Sequence, residues 1–178
     1  MPKVIILELV SGYCNSRCAW CFLSYDTGKQ VDKGIIQKQD VVRFVELNSC
    51  GDYSIIPFSH GESLMHPDFN EIIELLIGNK FTIHSLHTNF AMDISDRHIE
   101  NIAKINFVTV NVGGGTIQTH RFNMKTDLDV VLYNLSRLNR VKQSGVVVKS
   151  VINTHNKGEV AVLKNKIDKI VSQIRVET

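Results

Sequence analysis

Three cysteines within eight residues, Cys14, Cys18 and Cys21, follow directly on the apolar run Val4 to Val10. The run reads as a buried strand, so the thiols sit on the loop at its carboxyl end. Thiols clustered at short fixed spacing, in a chain without a secretion signal, point to metal ligation rather than to disulfides. Glu8 interrupts the run and no small-residue cleavage site precedes the cysteines, so the amino terminus is not read as a signal peptide and a cytoplasmic location is expected. Three thiolates fall one short of a closed four-cysteine zinc or iron-sulfur site. Either a fourth ligand comes from elsewhere or one metal position is kept open for a substrate or cofactor.

Beyond the thiol loop the chain alternates. Helical stripes are expected at Gln37 to Leu47, from Asp68 (capping, with Glu71 three residues on) to Gly78, from Ser95 with Ile94 and Ile99 as a hydrophobic staple, from Thr126 with Asp129 to Gly145, and at Gly158 to Ser172. Strands are expected at Tyr53 to Phe58, Phe81 to Leu86, Phe107 to Val112 and Val146 to Ile152, with a sixth just begun at Gln173 to Val176. Strand and helix in alternation give a parallel sheet with right-handed crossovers. Ligands in such folds lie beyond the carboxyl ends of the strands. Those ends carry Gly61 and Glu62, Thr88 and Asn89, Asn111 with Gly113, and Asn153. Nothing marks a linker in the 178 residues, so one domain, 1–178, is expected. Apolar content of 43% and charged content of 21% argue against disorder, and no apolar run is long enough to span a bilayer. A net charge of +2 with dispersed lysines gives no pull toward nucleic acid, leaving a small-molecule or peptide substrate. Gly113-Gly114-Gly115 lacks the Gly-Lys-Ser/Thr ending of a phosphate loop and reads as a turn.

Cys14-x3-Cys18-x-Trp20-Cys21, followed by Ser59-His60-Gly61-Glu62-Ser63 with His66-Pro67-Asp68-Phe69, and then by His87-Thr88-Asn89-Phe90, resembles the radical S-adenosylmethionine (SAM) superfamily, nearest its molybdenum-cofactor-synthesis and peptide-modifying branch. The resemblance implies an α/β fold, a partial parallel (β/α)6 TIM-like barrel truncated near strand six. It implies an enzyme in which Cys14, Cys18 and Cys21 hold a 4Fe-4S cluster whose fourth iron takes SAM. Carried over by motif, the cofactor-binding residues are Trp20, Gly61, Glu62, Ser63, Thr88, Asn89, Asn111 and Asn153. Glu62 and Gly61 would receive the SAM amino group, the glycine allowing close approach. An electron donor such as flavodoxin or ferredoxin is implied, and either the rest of a longer chain or a partner protein would cover the open side of the barrel. Ser63 stands where the family has proline, and His60 and Phe90 stand where it has glycine, so a narrower pocket is expected. Cys50 alone remains outside the triad, which leaves no ligand set for a second cluster. The competing readings are a non-catalytic iron-sulfur or SAM-binding module and a zinc-binding scaffold that recruits His60 or His87.

Overall fold

The computed structural model describes residues 3–24 and 32–170, together with the backbone of Arg175–Glu177. The expected strand at Val4 to Val10 divides. Lys3–Ile6 forms β1, and Val10–Ser11 forms β2, which pairs antiparallel with β3, Gly34–Ile35. The break falls at Glu8, whose carboxylate leaves the strand to accept the backbone N–H of His60 at 2.6 Å. Of the polar connection between Phe22 and Gly34, residues 25–31 lie outside the described residues.

The remaining elements are α1 (Lys38–Leu47), β4 (Tyr53–Ile56), α2 (Phe69–Gly78), β5 (Thr82–Ile83), β6 (Ser85–Thr88), α3 (Asp96–Ala103), β7 (Phe107–Asn111), α4 (Ile117–Met124), α5 (Leu128–Val141), β8 (Val146–Lys149), α6 (Val160–Ile170) and β9 (Arg175–Glu177). β1, β4 and β5 form one parallel sheet, and β6, β7, β8 and β9 another. The two meet at His84, whose N–H donates to Ile55 O at 2.7 Å while its carbonyl accepts from Phe107 N at 3.0 Å. One open wall of parallel strands results, and β1 and β9 do not pair among the described residues. β9 shows that the expected sixth strand forms; Gln173 lies outside the described residues.

Register assigns the two faces. Leu86, Val108 and Val146 are aligned across β6, β7 and β8, and Val110 pairs with Val148. All are buried against the helices, with Ile72, Ile73, Ile102, Leu135 and Ile167 in the same core. His87, Thr109 and Val147 alternate to the other face and are only partly covered. Ile6 on that face is 61% exposed. No helix among the described residues is long and apolar enough to cross a membrane.

Capping departs from expectation in two places. Asp68 precedes α2 but its side chain makes no capping bond; its N–H donates to His66 Nδ1 instead. The cap of α5 is Asp127, which accepts from Asp129 N at 2.9 Å, and not Thr126. Thr126 is taken by His120, which anchors α4, a helix absent from the sequence expectation. Its stretch Ile117-Gln-Thr-His-Arg-Phe-Asn-Met124 has no apolar stripe, and it is held through its polar groups. Glu159 accepts from Gly115 N, Thr116 N and the hydroxyls of Thr116 and Thr119, occupying the N-terminus where a phosphate would sit.

Fully buried His120 accepts Gly113 N–H on Nδ1 at 3.1 Å, so its proton sits on Nε2 and donates to Thr126 Oγ1 at 3.0 Å. Burial lowers its pKa to about 4 from 6.5. The unfolded chain therefore takes up this proton near pH 6.5 and the folded one only near pH 4, so stability is lost as pH falls across that window. The loss expected is on the order of 2–3 kcal/mol. Urea unfolding at pH 7 and pH 4 should show a shallower pH dependence for His120→Gln than for the unaltered chain; parallel slopes would contradict the assignment.

Candidate functional site

Beyond the carboxyl ends of β1, β4, β6 and β7 lies a cavity of about 250 Å3. Its wall includes Cys14, Cys18 and Cys21 from the thiol loop, Trp20, Gly61 and Glu62, Thr88 and Asn89, and Asn111. The strand ends that carry polar residues in the sequence are thus brought to one place. Two expected residues are not there. Ser63 is buried beneath the loop, donating to Pro57 O at 2.7 Å. Asn153 lies outside the cavity lining, its amide donating to Asn123 Oδ1 at 3.0 Å while its carbonyl oxygen accepts from His155 N.

Glu62 organises the centre. It is 2% exposed, and its carboxylate accepts from Thr88 Oγ1 at 2.8 Å, Asn89 N at 2.8 Å and Leu64 N at 3.2 Å. Burial pushes its carboxyl above the usual range, and the three donors pull back toward the ionised form. Thr88 and Asn89 therefore serve first as braces. The Asn89 amide reaches on to Asn15 Oδ1 at 2.7 Å and Cys14 Sγ at 3.5 Å, tying the end of β6 to the thiol loop. Glu62→Gln places an amide N–H against the Asn89 N–H. A loss of roughly 2–3 kcal/mol is expected by urea unfolding; a loss under about 0.5 kcal/mol, typical of an uninvolved surface site, would dismiss the brace.

Phe90 does not narrow the cavity. It sits at φ +55 with its ring wholly buried in the core, and its N–H donates to Thr88 Oγ1. A left-handed backbone explains why glycine suits this position, and burial of the ring holds phenylalanine there. His60 does line the cavity, edge-on to Phe22 with ring centroids 5.4 Å apart, and its Nδ1 is 3.3 Å from Glu8 Oε1.

All four cysteines are free thiols. Burial, with the nearby charges of Glu62 and Cys18 adding to it, pushes Cys14 up to about 11, and burial also raises Cys18. Without metal these two are protonated, so metal binding must release their protons. Ser16, which the sequence reading passed over, is the loop's internal anchor. Its one proton goes to Met124 O at 2.7 Å, so the Cys18 thiol is the donor in the 3.1 Å contact between them. Among the described residues no three Cys, His, Asp or Glu side chains converge as a metal group would require. The thiols share a wall without being gathered on one centre. Phe58, which the sequence does not single out, stacks at 4.2 Å on His87 in the cavity lining, where His87 was expected only as a zinc ligand. For Phe58 the sequence signal is alternation, which puts residue 58 on the face of Ile56, as it puts residue 87 opposite buried Leu86.

A family model for the radical SAM superfamily matches residues 9–165. The chain belongs to that superfamily of enzymes, whose cofactors are a 4Fe-4S cluster and SAM. Among curated proteins no sequence match was found. Solved structures share the fold. SuiB of Streptococcus suis bound to precursor peptide SuiA aligns with TM-score 0.72 at 18% identity, over 99% of this chain and 39% of its own. Native anSMEcpe with bound AdoMet and Cp18Cys peptide aligns with TM-score 0.74 at 17% identity, over 99% and 50%. BtrN in complex with AdoMet and 2-DOIA aligns with TM-score 0.58 at 18% identity, over 84% and 58%. The chain thus spans about two fifths to three fifths of the length of these neighbours.

Proposed function

We propose that this chain is the core of a radical SAM enzyme that cleaves SAM reductively, with Cys14, Cys18 and Cys21 as the cluster ligands. The single observation that carries the reading is the placement of these three thiols on one cavity wall with buried Glu62, in a chain of this superfamily. The donor set suits the group: three thiols for three irons, and polar strand ends for the remaining ligand. When bound, the cluster supplies one electron to the SAM sulfonium, giving methionine and a 5′-deoxyadenosyl radical that takes hydrogen from the substrate.

The chain's residues bind and shield. Glu62 has lone pairs beyond its three protein donors and meets the SAM ammonium. Trp20 offers a flat apolar surface to the adenine, and Asn111, which makes no side-chain bond among the described residues, offers its amide to the ribose or carboxylate. Thr88 and Asn89 act through Glu62 and the thiol loop. Trp20, Phe22, Leu23, Phe58 and Met124 exclude water from the reacting centre. The substrate is a peptide or small molecule; SuiB and anSMEcpe were each solved with a peptide and BtrN with 2-DOIA. Exposed Val4 and Ile6 on β1 suit cover by further chain or a partner. A cytoplasmic setting keeps the thiols reduced.

Protein reconstituted with iron and sulfide without oxygen, then reduced with dithionite, should convert SAM to 5′-deoxyadenosine and methionine; a loaded cluster with no product would overturn the reading. A second reading, a metal-holding scaffold without turnover, draws on the ungathered thiols. It requires zinc on metal analysis, or a cluster that leaves SAM intact.

A further inference from the structure

The inner face of the strand wall carries polar side chains that the fold itself leaves unused. Leu86, Val108, Val110 and Val148 are buried against the helices, so alternation turns His87 on β6, Thr109 and Asn111 on β7 and Lys149 on β8 to the opposite face. Register sets His87 beside Thr109 and Asn111 beside Lys149, on neighbouring strands about 5 Å apart. His87 meets protein through its stack on Phe58, and among the described residues none of the four side chains makes a hydrogen bond or an ion pair. Polar side-chain atoms sealed inside the fold are matched by contrast, Ser150 Oγ being the exception among the described residues.

What this face offers is donors. The Lys149 ammonium has three N–H groups, the Asn111 amide two and the Thr109 hydroxyl one. Burial, and after it the charge of Lys149, lowers the His87 pKa, so at neutral pH the ring is uncharged and gives one N–H more. Among the described residues the carboxylate in the cavity lining is that of Glu62, which three protein donors already meet. A lysine on an outer helix is solvated or paired, as Lys164 is with Asp168 on α6. Lys149 instead stands on the concave side, next to the strand position that Asn111 gives to SAM. Resting on the function proposed above, we infer that the substrate carries an anionic oxygen group, a carboxylate or a phosphate, which Lys149 holds on the inner face with Thr109 and His87 beside it. Lys149 lies outside the lining of the cavity assigned to SAM, so the anion it takes belongs to the second reactant. The charge-assisted bond fixes one end of the substrate and leaves the rest to lie toward Phe58 and the thiol loop.

The register partner of Lys149 on β9 is Glu177, so the test must separate the two. Inorganic phosphate and glutarate, with glutaramide as the uncharged counterpart, are titrated at constant ionic strength into reconstituted protein. The phosphate 31P linewidth and saturation transfer to the glutarate protons report binding. At least one anion should bind saturably and glutaramide should not; the tighter of the two names the group. Lys149→Gln should weaken that anion roughly tenfold or more, Thr109→Val a few-fold, and Lys149→Arg and Lys164→Gln hardly at all. SAM affinity by calorimetry should be the same in Lys149→Gln as in the unaltered protein. Failure of both anions to bind, or a loss from Lys164→Gln equal to that from Lys149→Gln, would overturn the inference. So would an equal loss of SAM affinity in Lys149→Gln, which would give the lysine to SAM, or a tenfold gain in Glu177→Gln, which would give it to Glu177. If the unaltered protein cleaves no SAM, the proposed function fails, whereas the anion titrations still decide what this face takes.

Discussion

Replacing Cys18 with alanine is expected to reduce both the bound iron and the 5′-deoxyadenosine made from SAM to background. Cys18 is the thiol most firmly set in the frame, with Arg17 N and Ala19 N on either side bonded to the end of α4 and Ser16 Oγ at 3.1 Å from its sulfur. Removing it leaves two thiols, too few to hold a cluster with one open iron. Ser16→Ala keeps all three thiols but removes the partner of Cys18 and the bond to Met124 O. A loss of about 10- to 100-fold in cluster retention is expected there, the usual consequence of deleting an outer partner of a ligand. Cys50, packed at the edge of the helix-side core and outside the cavity, should be replaceable by alanine with no effect on iron or product. The order Cys18, then Ser16, then Cys50 follows directly from these contacts. Iron content, visible absorption and product analysis on the three variants check it, and wild-type turnover from Cys18→Ala would remove the assignment.

What could be read from the residues follows how local each determinant is. The parallel wall was legible because apolar strands such as Phe107–Asn111 and Val146–Lys149 are short and continuous, and α2 carries Ile72, Ile73 and Leu76 at helical spacing. The convergence of Glu62, Thr88, Asn89 and Asn111 was legible because Thr88, Asn89 and Asn111 end or directly follow a strand and Glu62 lies on the loop that leaves the carboxyl end of β4. α4 was not legible, since it is fixed by bonds that span the chain, Glu159 at one end and the thiol loop at the other. No window of sequence holds those partners together.

Neither motif position nor strand-end position brings every expected residue to the cavity lining. Ser63 and Asn153 occupy matching positions, yet one hydroxyl is bound to Pro57 O and the other side chain to Asn123 and nearby backbone. The resemblance gives Glu62 the SAM amino group as its partner, but three protein donors already meet the carboxylate. A buried carboxylate marks a satisfied centre, and what it satisfies is a question of geometry.

Gly61→Ala is the substitution expected to cost the fold most at the site. A Cβ there would clash with Val10 O and stand 2.8 Å from Tyr13 O, both backbone atoms that no side-chain rotation relieves. The reason for glycine is therefore the approach of the chain's own loop, and ligand contact comes second. The same two loops are joined by Glu62 N donating to Tyr13 O at 2.9 Å and Gly12 N donating to His60 O at 3.0 Å. Making room for the methyl must stretch these bonds and shift Glu62 from its donors, so about 3 kcal/mol is the expected loss, at the upper end for overpacking. For a chain of this size that lowers Tm by roughly 6–12 °C. Gly51→Ala, where nothing lies within 4 Å, should change stability by no more than about 0.5 kcal/mol. Because the clash separates the thiol loop from the Glu62 loop, Gly61→Ala should also weaken SAM binding in protein that still folds and still takes up iron. Thermal unfolding with SAM titration of both variants decides this: a Gly61→Ala protein as stable as Gly51→Ala would mean that the two loops do not meet as described.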